Sequence, residues 1–163
     1  MRRLMFLVPF IVLFLGACSS ESEENYTQML GAFERNDSEL NTKLDETAKN
    51  ISKESNRDKA LQSINDDIIP SIGDFRQTIN NYTLTDENHL EVQDAMTDYL
   101  DQVEDLMVLY SNLNEDFFFV NPLGDDSIDE RLNTALDNIS AQEKEMHEAK
   151  EKVNQLIGDN QAE

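Results

Sequence analysis

From Tyr26 onward, the apolar residues of this chain recur at alternating spacings of three and four. This pattern is typical of helices that pack along a narrow seam. It is clearest in the third of four such segments, whose apolar positions are Val92, Met96, Tyr99, Val103, Leu106, Tyr110, Leu113 and Phe117. No segment alternates polar and apolar residues with period two over a useful length. The pattern therefore predicts an all-α fold.

Three further segments carry a stripe of the same kind. The stripes are Tyr26, Leu30, Phe33, Leu40, Leu44 and Ile51; then Leu61, Ile64, Ile68, Ile72, Phe75, Ile79 and Tyr82; and last Ile128, Leu132, Ala135, Ile139, Met146, Val153 and Leu156. Short connections make consecutive helices antiparallel. We therefore expect an up-down-up-down four-helix bundle over residues 26–158, followed by a disordered tail at 159–163.

Residues with local effects on helices mark most of the boundaries. Pro70 removes a backbone donor inside the second segment, which predicts a kink just before it. Thr85, followed by two acids, is a candidate N-cap for the third helix. Ser127–Glu130 fits a capping box, and Gly158 is a candidate C-cap for the last helix.

The boundary between the first two helices is the weakest, because residues 52–57 contain neither Gly nor Pro. The two segments could therefore form one continuous helix. The helical spacing slips between Ile51 and Leu61, which favours a break. A fused helix would also be roughly 85 Å long, and the third segment could cover only about half of it.

The first 17 residues have the features of a secretory leader. Arg2 and Arg3 form a basic start, and the apolar run from Leu4 to Leu15 is shorter than the about 20 residues that span a bilayer. Small residues then lead to Cys18, the single cysteine of the chain, so an internal disulfide is excluded. Residues 18–25 are polar and are expected to form a short flexible tether.

Leu15-Gly16-Ala17-Cys18 resembles the lipobox of bacterial lipoproteins. The resemblance implies that the Cys18 thiol receives a diacylglyceryl group and that cleavage before Cys18 makes it the mature N-terminus. Two acyl chains hold a protein stably on a membrane. The implied location is the extracytoplasmic face of the cell membrane. In length and helical character, the body resembles small envelope lipoproteins of Gram-positive bacteria, some of them described as cell-wall-binding.

The chain is strongly acidic, with 34 Asp and Glu against 13 Lys and Arg and a formal net charge of −21. Removal of Arg2 and Arg3 with the leader would make the mature chain more acidic still. This charge argues against nucleic acid as a partner, because its phosphates must be neutralised by Lys and Arg. It equally disfavours docking of the body onto anionic lipid or anionic wall polymer, unless divalent cations bridge the two. The composition is that of a soluble acidic surface.

Phe117, Phe118, Phe119 and Val120 form the least expected stretch of the body. Neighbours on a helix point about 100° apart, so one or two of these side chains can face the seam. The others must pack under the following loop, cover the end of the bundle, or stay exposed as a partner or membrane contact. This stretch is the candidate partner contact.

Three further features carry polar residues, namely one face of the last helix, Asp37 and His89. Glu143, His147 and Glu151 are spaced four residues apart on one helix face and are a candidate site for a divalent ion. The alternative is a solvated face with local charge pairs. Asp37 occupies a stripe position, which predicts that the seam there is wet or close to the end of the bundle. His89 is expected to be an exposed polar residue.

No motif for catalysis stands out. The chain lacks a glycine-rich phosphate loop, a nucleophile elbow and a second cysteine. We therefore expect a non-enzymatic lipoprotein without a cofactor, attached to the membrane through Cys18 and acting by interaction with an envelope protein or as a structural component. The alternative is a lipoprotein that binds divalent cations or a small ligand.

Overall fold

The computed structural model describes residues 9–53, 57–118 and 127–162. All regular structure in these ranges is helical, which confirms the predicted all-α class. The helices are α1 (Pro9–Lys53), α2 (Arg57–Gln62), a π-helical turn (Ser63–Ile68), α3 (Ile69–Asn80), α4 (Glu87–Phe118) and α5 (Ile128–Ala162). Since α2, the π turn and α3 follow one another without a gap, they form the second of four bundle helices.

Side-chain contacts confirm the antiparallel arrangement. Along α1, Asn25 donates to the backbone of Thr83 at 3.0 Å, while Lys43 donates to Ser71 at 3.1 Å, so the partner number falls as the α1 number rises. The second bundle helix is antiparallel to α4, because the contacts Ile79–Gln93, Arg76–Asp101 and Asn65–Ser111 show the same opposite numbering. Helices α4 and α5 are likewise antiparallel, with the contacts Asp98–Lys152, Gln102–Gln142 and Phe117–Arg131.

The expected break between the first two helices is present. α1 ends at Lys53 and α2 begins at Arg57, and the second bundle helix folds back along α1. The π turn lies directly before Pro70, where a kink was expected. The Ile69 N–H bonds the carbonyl of Ile64, five residues earlier. Pro70 cannot donate to the carbonyl four residues before it, and its ring crowds that carbonyl. A wider helical turn at this point relieves both problems.

The core lies along the predicted seam, but the helices contribute to it unequally. Fully buried side chains with no exposure include Met29, Ile72, Ile79, Met96 and Leu100. Within the last stripe, only Ile139 and Val153 are buried, whereas Met146 and Leu156 are half-buried. Helix α5 therefore covers one side of a core that α1, α3 and α4 largely build.

The N-terminal part of the bundle begins earlier than expected. Residues 18–25 lie within α1, and Ser22 is buried. Its hydroxyl accepts a hydrogen bond from the Thr85 N–H at 3.1 Å, and Asn25 bonds Thr83. The expected flexible tether is therefore replaced, from Ser22 onward, by packed helix. This segment has no apolar residue to anchor it, but the polar side chains of Ser22 and Asn25 hold it to the bundle through hydrogen bonds.

Two helix ends also differ from expectation. The N-cap of α4 is Asp86 and not Thr85, because an Asp86 carboxylate oxygen accepts from the N–H groups of Asn88 and His89 at 2.9 and 3.3 Å. At the other end of the chain, α5 continues through Gly158 to Ala162, and no described glycine has a positive φ. Residues 159–162 are therefore helical. α5 begins at Ile128, as the capping box at Ser127 predicted.

Replacing Gly73 by Ala is expected to stabilise the bundle. Gly73 lies inside α3 at a helical φ, and a Cβ there would meet no atom within 4 Å. Glycine in a helix interior costs about 1 kcal/mol relative to alanine, because it loses more backbone entropy on folding. Thermal unfolding followed by circular dichroism should show a midpoint about 3 °C higher.

Gly158→Ala is the matched control. Its site is equally open but lies near the end of α5, where fraying reduces the gain. A loss of stability in Gly73→Ala would contradict the open helical site described above.

Candidate functional site

Cys18 lies within α1, one helical turn before the packed bundle. α1 runs without interruption from Pro9 to Lys53, and Ser22, four residues after Cys18, bonds Thr85 in the connection before α4. Among the described residues, no helix combines the length and the apolar character that crossing a membrane requires. Any attachment at Cys18 would therefore act on the bundle through four residues of helix.

The end of the bundle next to Cys18 is built from the start of α1, the 81–86 connection and the end of α5; we call it the turn end. Ser22 and Asn25 bond the connection, and the rings of Tyr26 and His89 stack with centroids 3.7 Å apart and an interplanar angle of 5°. His89 was expected to be exposed, but its side chain is only 13% exposed. The Tyr26 ring covers it, and no feature of the sequence placed these two residues together.

The stack leaves two polar atoms without hydrogen bonds to described residues. These atoms are the Tyr26 hydroxyl oxygen and Nδ1 of His89. Burial, with a smaller contribution from the Glu23 carboxylate, raises the pKa of the Tyr26 hydroxyl. The Glu23 carboxylate also lies 3.8 Å from Nε2 of His89. His89 therefore joins α4 to the start of α1 through the stacked Tyr26 ring and the nearby Glu23 carboxylate.

The opposite end of the bundle carries Phe117 and is called the aromatic end. Phe117 is half-buried in the last turn of α4, and the guanidinium carbon of Arg131 lies 5.6 Å from its ring centroid. A groove beside it is lined by Asp116, Glu130 and Thr134. Of the remaining predicted contact residues, Phe118 ends α4, while Phe119 and Val120 lie outside the described residues.

Two of the three candidate metal ligands, Glu143 and His147, are engaged in other contacts. An oxygen of Glu143 accepts the Tyr110 hydroxyl at 2.7 Å. Nδ1 of His147 lies 2.6 Å from the backbone oxygen of Glu143. In the part of the chain that the structure describes, no group of three or more His, Cys, Asp or Glu side chains is arranged to hold a metal ion. Glu143, His147 and Glu151 are therefore not brought together as a ligand set.

A charged cluster that the sequence did not predict lies midway along the bundle. Asp37 accepts the Tyr99 hydroxyl at 3.0 Å and pairs with the Lys150 ammonium at 2.7 Å. The ammonium also lies over the rings of Phe33 and Tyr99, at 4.4 and 4.5 Å from their centroids. Asp37 was expected to mark a wet seam. Its side chain is instead 16% exposed, because a cation from α5 and a hydroxyl from α4 satisfy it.

The hydroxyls of Tyr110 and Tyr99 donate to carboxylates, Tyr110 to Glu143 and Tyr99 to Asp37. Burial, followed by the hydrogen bond and the charge of Glu143, raises the pKa of Tyr110 to about 12. Burial and the Asp37 carboxylate raise the pKa of Tyr99 further. Both hydroxyls are therefore donors throughout the neutral range.

Alkaline pH is expected to weaken the fold through Tyr110. An unfolded tyrosine titrates near pH 10, so the stability contributed by the neutral hydroxyl is complete below about pH 10 and is lost as the pH rises towards 12. Urea unfolding at a series of pH values across this range should show a steeper loss for the wild type than for Tyr110→Phe. Identical pH dependences would contradict the Tyr110–Glu143 contact.

Comparisons with known proteins identify no relative of this chain: no protein-family model, no curated protein and no solved structure matches it.

Proposed function

We propose that this protein is a lipoprotein anchored through Cys18 to the extracytoplasmic face of the cell membrane. Its bundle acts there as a non-catalytic interaction or structural component of the envelope. The observation that carries the proposal is the sequence Leu15-Gly16-Ala17-Cys18 after a basic start and a short apolar run. The lipid determines the location of the protein, and the bundle presents its helical faces and the aromatic end to a partner.

Features of the bundle support a non-catalytic role. The buried side chains are almost entirely apolar, and the buried polar side chains among the described residues are Ser22, Gln93 and Ser111. Each of these makes hydrogen bonds within the fold: Ser22 with Thr85, Gln93 with two backbone carbonyls, and Ser111 with Asn65. These groups therefore serve packing and do not form a nucleophile with an adjacent base.

The lipid anchor is tested by intact-mass spectrometry and membrane fractionation of protein made in a bacterium. The wild type should begin at Cys18, carry a diacylglyceryl group and sediment with membranes. Cys18→Ala should incorporate no labelled fatty acid. Ser22→Ala is the matched control, since it changes a small residue of the same helix and should leave acylation intact. Wild-type protein that retains Met1, or that lacks acyl groups, would contradict the proposal.

The interaction role is tested by crosslinking in intact cells followed by purification. The wild type should recover the same envelope protein in repeated experiments. A variant with Phe118 and Phe119 replaced by Ser should lose that protein if the aromatic end is the contact. Exchange of the exposed residue Leu90 for Ser is the control, because it alters an apolar surface residue at the opposite end of α4. No reproducible partner for the acylated wild type would contradict an interaction role.

A further inference from the structure

The groove at the aromatic end lies between the last turn of α4 and the first three turns of α5. It has a volume of about 390 Å³ and opens to solvent. Phe117 and Ala135 form its apolar lining, and both are half-buried. The polar residues of the lining, Thr134 and Asn138 among them, are exposed. An apolar side chain from a partner would remove the remaining surface of the Phe117 ring from water.

Carboxylates border this apolar surface from both helices. Asp116 comes from α4 and Glu130 from α5, and both residues are exposed. No ion pair joins either carboxylate to another residue that the structure describes. The surroundings add to the negative charge, because α4 contains no Lys or Arg and residues 115–131 hold six acidic residues against the single base Arg131. The groove therefore presents an apolar surface within a region of negative potential.

A cation elsewhere in the same fold is held by the same combination of groups. Midway along the bundle, the Lys150 ammonium lies 4.4 Å from the centroid of the Phe33 ring and 2.7 Å from the Asp37 carboxylate. At the groove, the guanidinium carbon of Arg131 lies 5.6 Å from the centroid of the Phe117 ring. The face of an aromatic ring attracts cations. Because the lining of the groove has two carboxylates but one guanidinium, negative charge is left over there.

These features determine which kind of partner fits the groove. Anionic lipid, anionic polymer and nucleic acid would be repelled by the carboxylates, and so would a second copy of this chain, whose net charge is −21. A purely apolar segment would cover Phe117 but would strip water from Asp116 and Glu130 without replacing it. A segment with Lys or Arg on both sides of an apolar residue complements the ring and the carboxylates together.

We propose that this groove binds a basic segment of an envelope protein, with an apolar side chain over Phe117 and Lys or Arg side chains beside Asp116 and Glu130. The inference rests on the interaction role proposed above, and it names the chemistry of the partner. Since the charged contacts are exposed, binding should weaken as salt is added.

A fluorescent peptide of sequence Lys-Lys-Phe-Lys-Lys tests the groove. It is titrated with the full chain, purified in an uncharged detergent, and binding is followed by fluorescence anisotropy with the detergent alone as the blank. The wild type should bind this peptide several-fold more tightly than a peptide in which Ser replaces Phe, because the contact with Phe117 is lost. Asp116→Asn combined with Glu130→Gln should weaken binding of the Phe peptide several-fold, because both carboxylates of the groove are removed.

Glu91→Gln combined with Asp94→Asn is the matched control. It removes the same charge from exposed positions near the start of α4 and should change the affinity by less than twofold. Unchanged circular dichroism spectra would show that both double variants fold. Equal losses in the two double variants would mean that the peptide follows overall charge, and this result would overturn the proposal.

The proposed function and this inference fail in different ways. A wild type that does not bind the peptide, yet still recovers a partner by crosslinking in cells, would overturn the basic segment alone. A wild type without acyl chains would overturn the lipid anchor, whereas the titration in detergent would still decide whether the groove takes the peptide.

Discussion

Leu100→Ala is expected to lower the free energy of unfolding by about 3 kcal/mol. Leu100 lies in α4 with no exposed surface and belongs to the main core cluster. Truncation to alanine removes buried methyl groups and leaves a cavity, because the surrounding helices relax only in part. This loss is a large fraction of the 5–15 kcal/mol typical of a single domain. Urea unfolding followed by circular dichroism would measure it.

Leu90→Ala supplies a matched control for this experiment. Leu90 lies in the same helix, but its side chain is 37% exposed. The identical substitution should therefore cost well under half as much. Equal losses for Leu90→Ala and Leu100→Ala would show that α4 does not face the core as described.

Asp37→Ala is expected to cost about 2 kcal/mol, because it leaves the Lys150 ammonium between two aromatic rings without its carboxylate. Removal of one partner from a fully buried pair costs about 3–5 kcal/mol. The smaller value allows for the 26% exposure of the Lys150 side chain and the 16% exposure of Asp37. The Tyr99 hydroxyl also loses its acceptor. The free energy of unfolding in urea is the measurement.

A double variant separates this cause from a general loss of packing. Asp37→Leu combined with Lys150→Met removes both charges and keeps similar volumes, so it should recover most of the lost stability. Glu148→Ala is the surface control, since the Lys144–Glu148 pair is 76% and 61% exposed and such pairs contribute about 0.5 kcal/mol or less. A double variant as unstable as the sum of the single variants would contradict a coupled pair.

The spacing of apolar residues predicted the helices of this fold well, because each helix has one face against a common core. It predicted less well which residues of each helix lie on the face that is buried. Leu30 was expected in the core, yet Leu30 is half-buried and the neighbouring Met29 is fully buried. A helix in a four-helix bundle buries a broader stripe than one seam, so adjacent positions such as Ala95 and Leu100 are also covered.

Polar contacts between helices could not be read from the chain. Asp37 and Lys150 are far apart in sequence, and either residue alone is typical of a solvated surface. The same holds for His89, which the Tyr26 ring covers. Such pairs depend on the relative register of the helices, which spacing within one helix does not determine. The resemblance of Leu15-Gly16-Ala17-Cys18 to a lipobox, in contrast, rests on a local pattern and does not depend on the fold.

The helices contribute unequal numbers of buried apolar side chains to the core, and this affects the order in which they unfold. α5 adds two buried apolar side chains, Ile139 and Val153, while others such as Met146 and Leu156 are only half-buried. Polar contacts also hold it, among them Lys150–Asp37, Tyr110–Glu143 and Gln142–Gln102. Ionic contacts weaken in salt, whereas apolar burial does not. In a hydrogen-exchange experiment, the amides of α5 should therefore exchange faster than those of the other three helices. Added salt should increase this difference in exchange rate. Partial opening would then uncover one flank of α4 while the rest of the assembly stays folded.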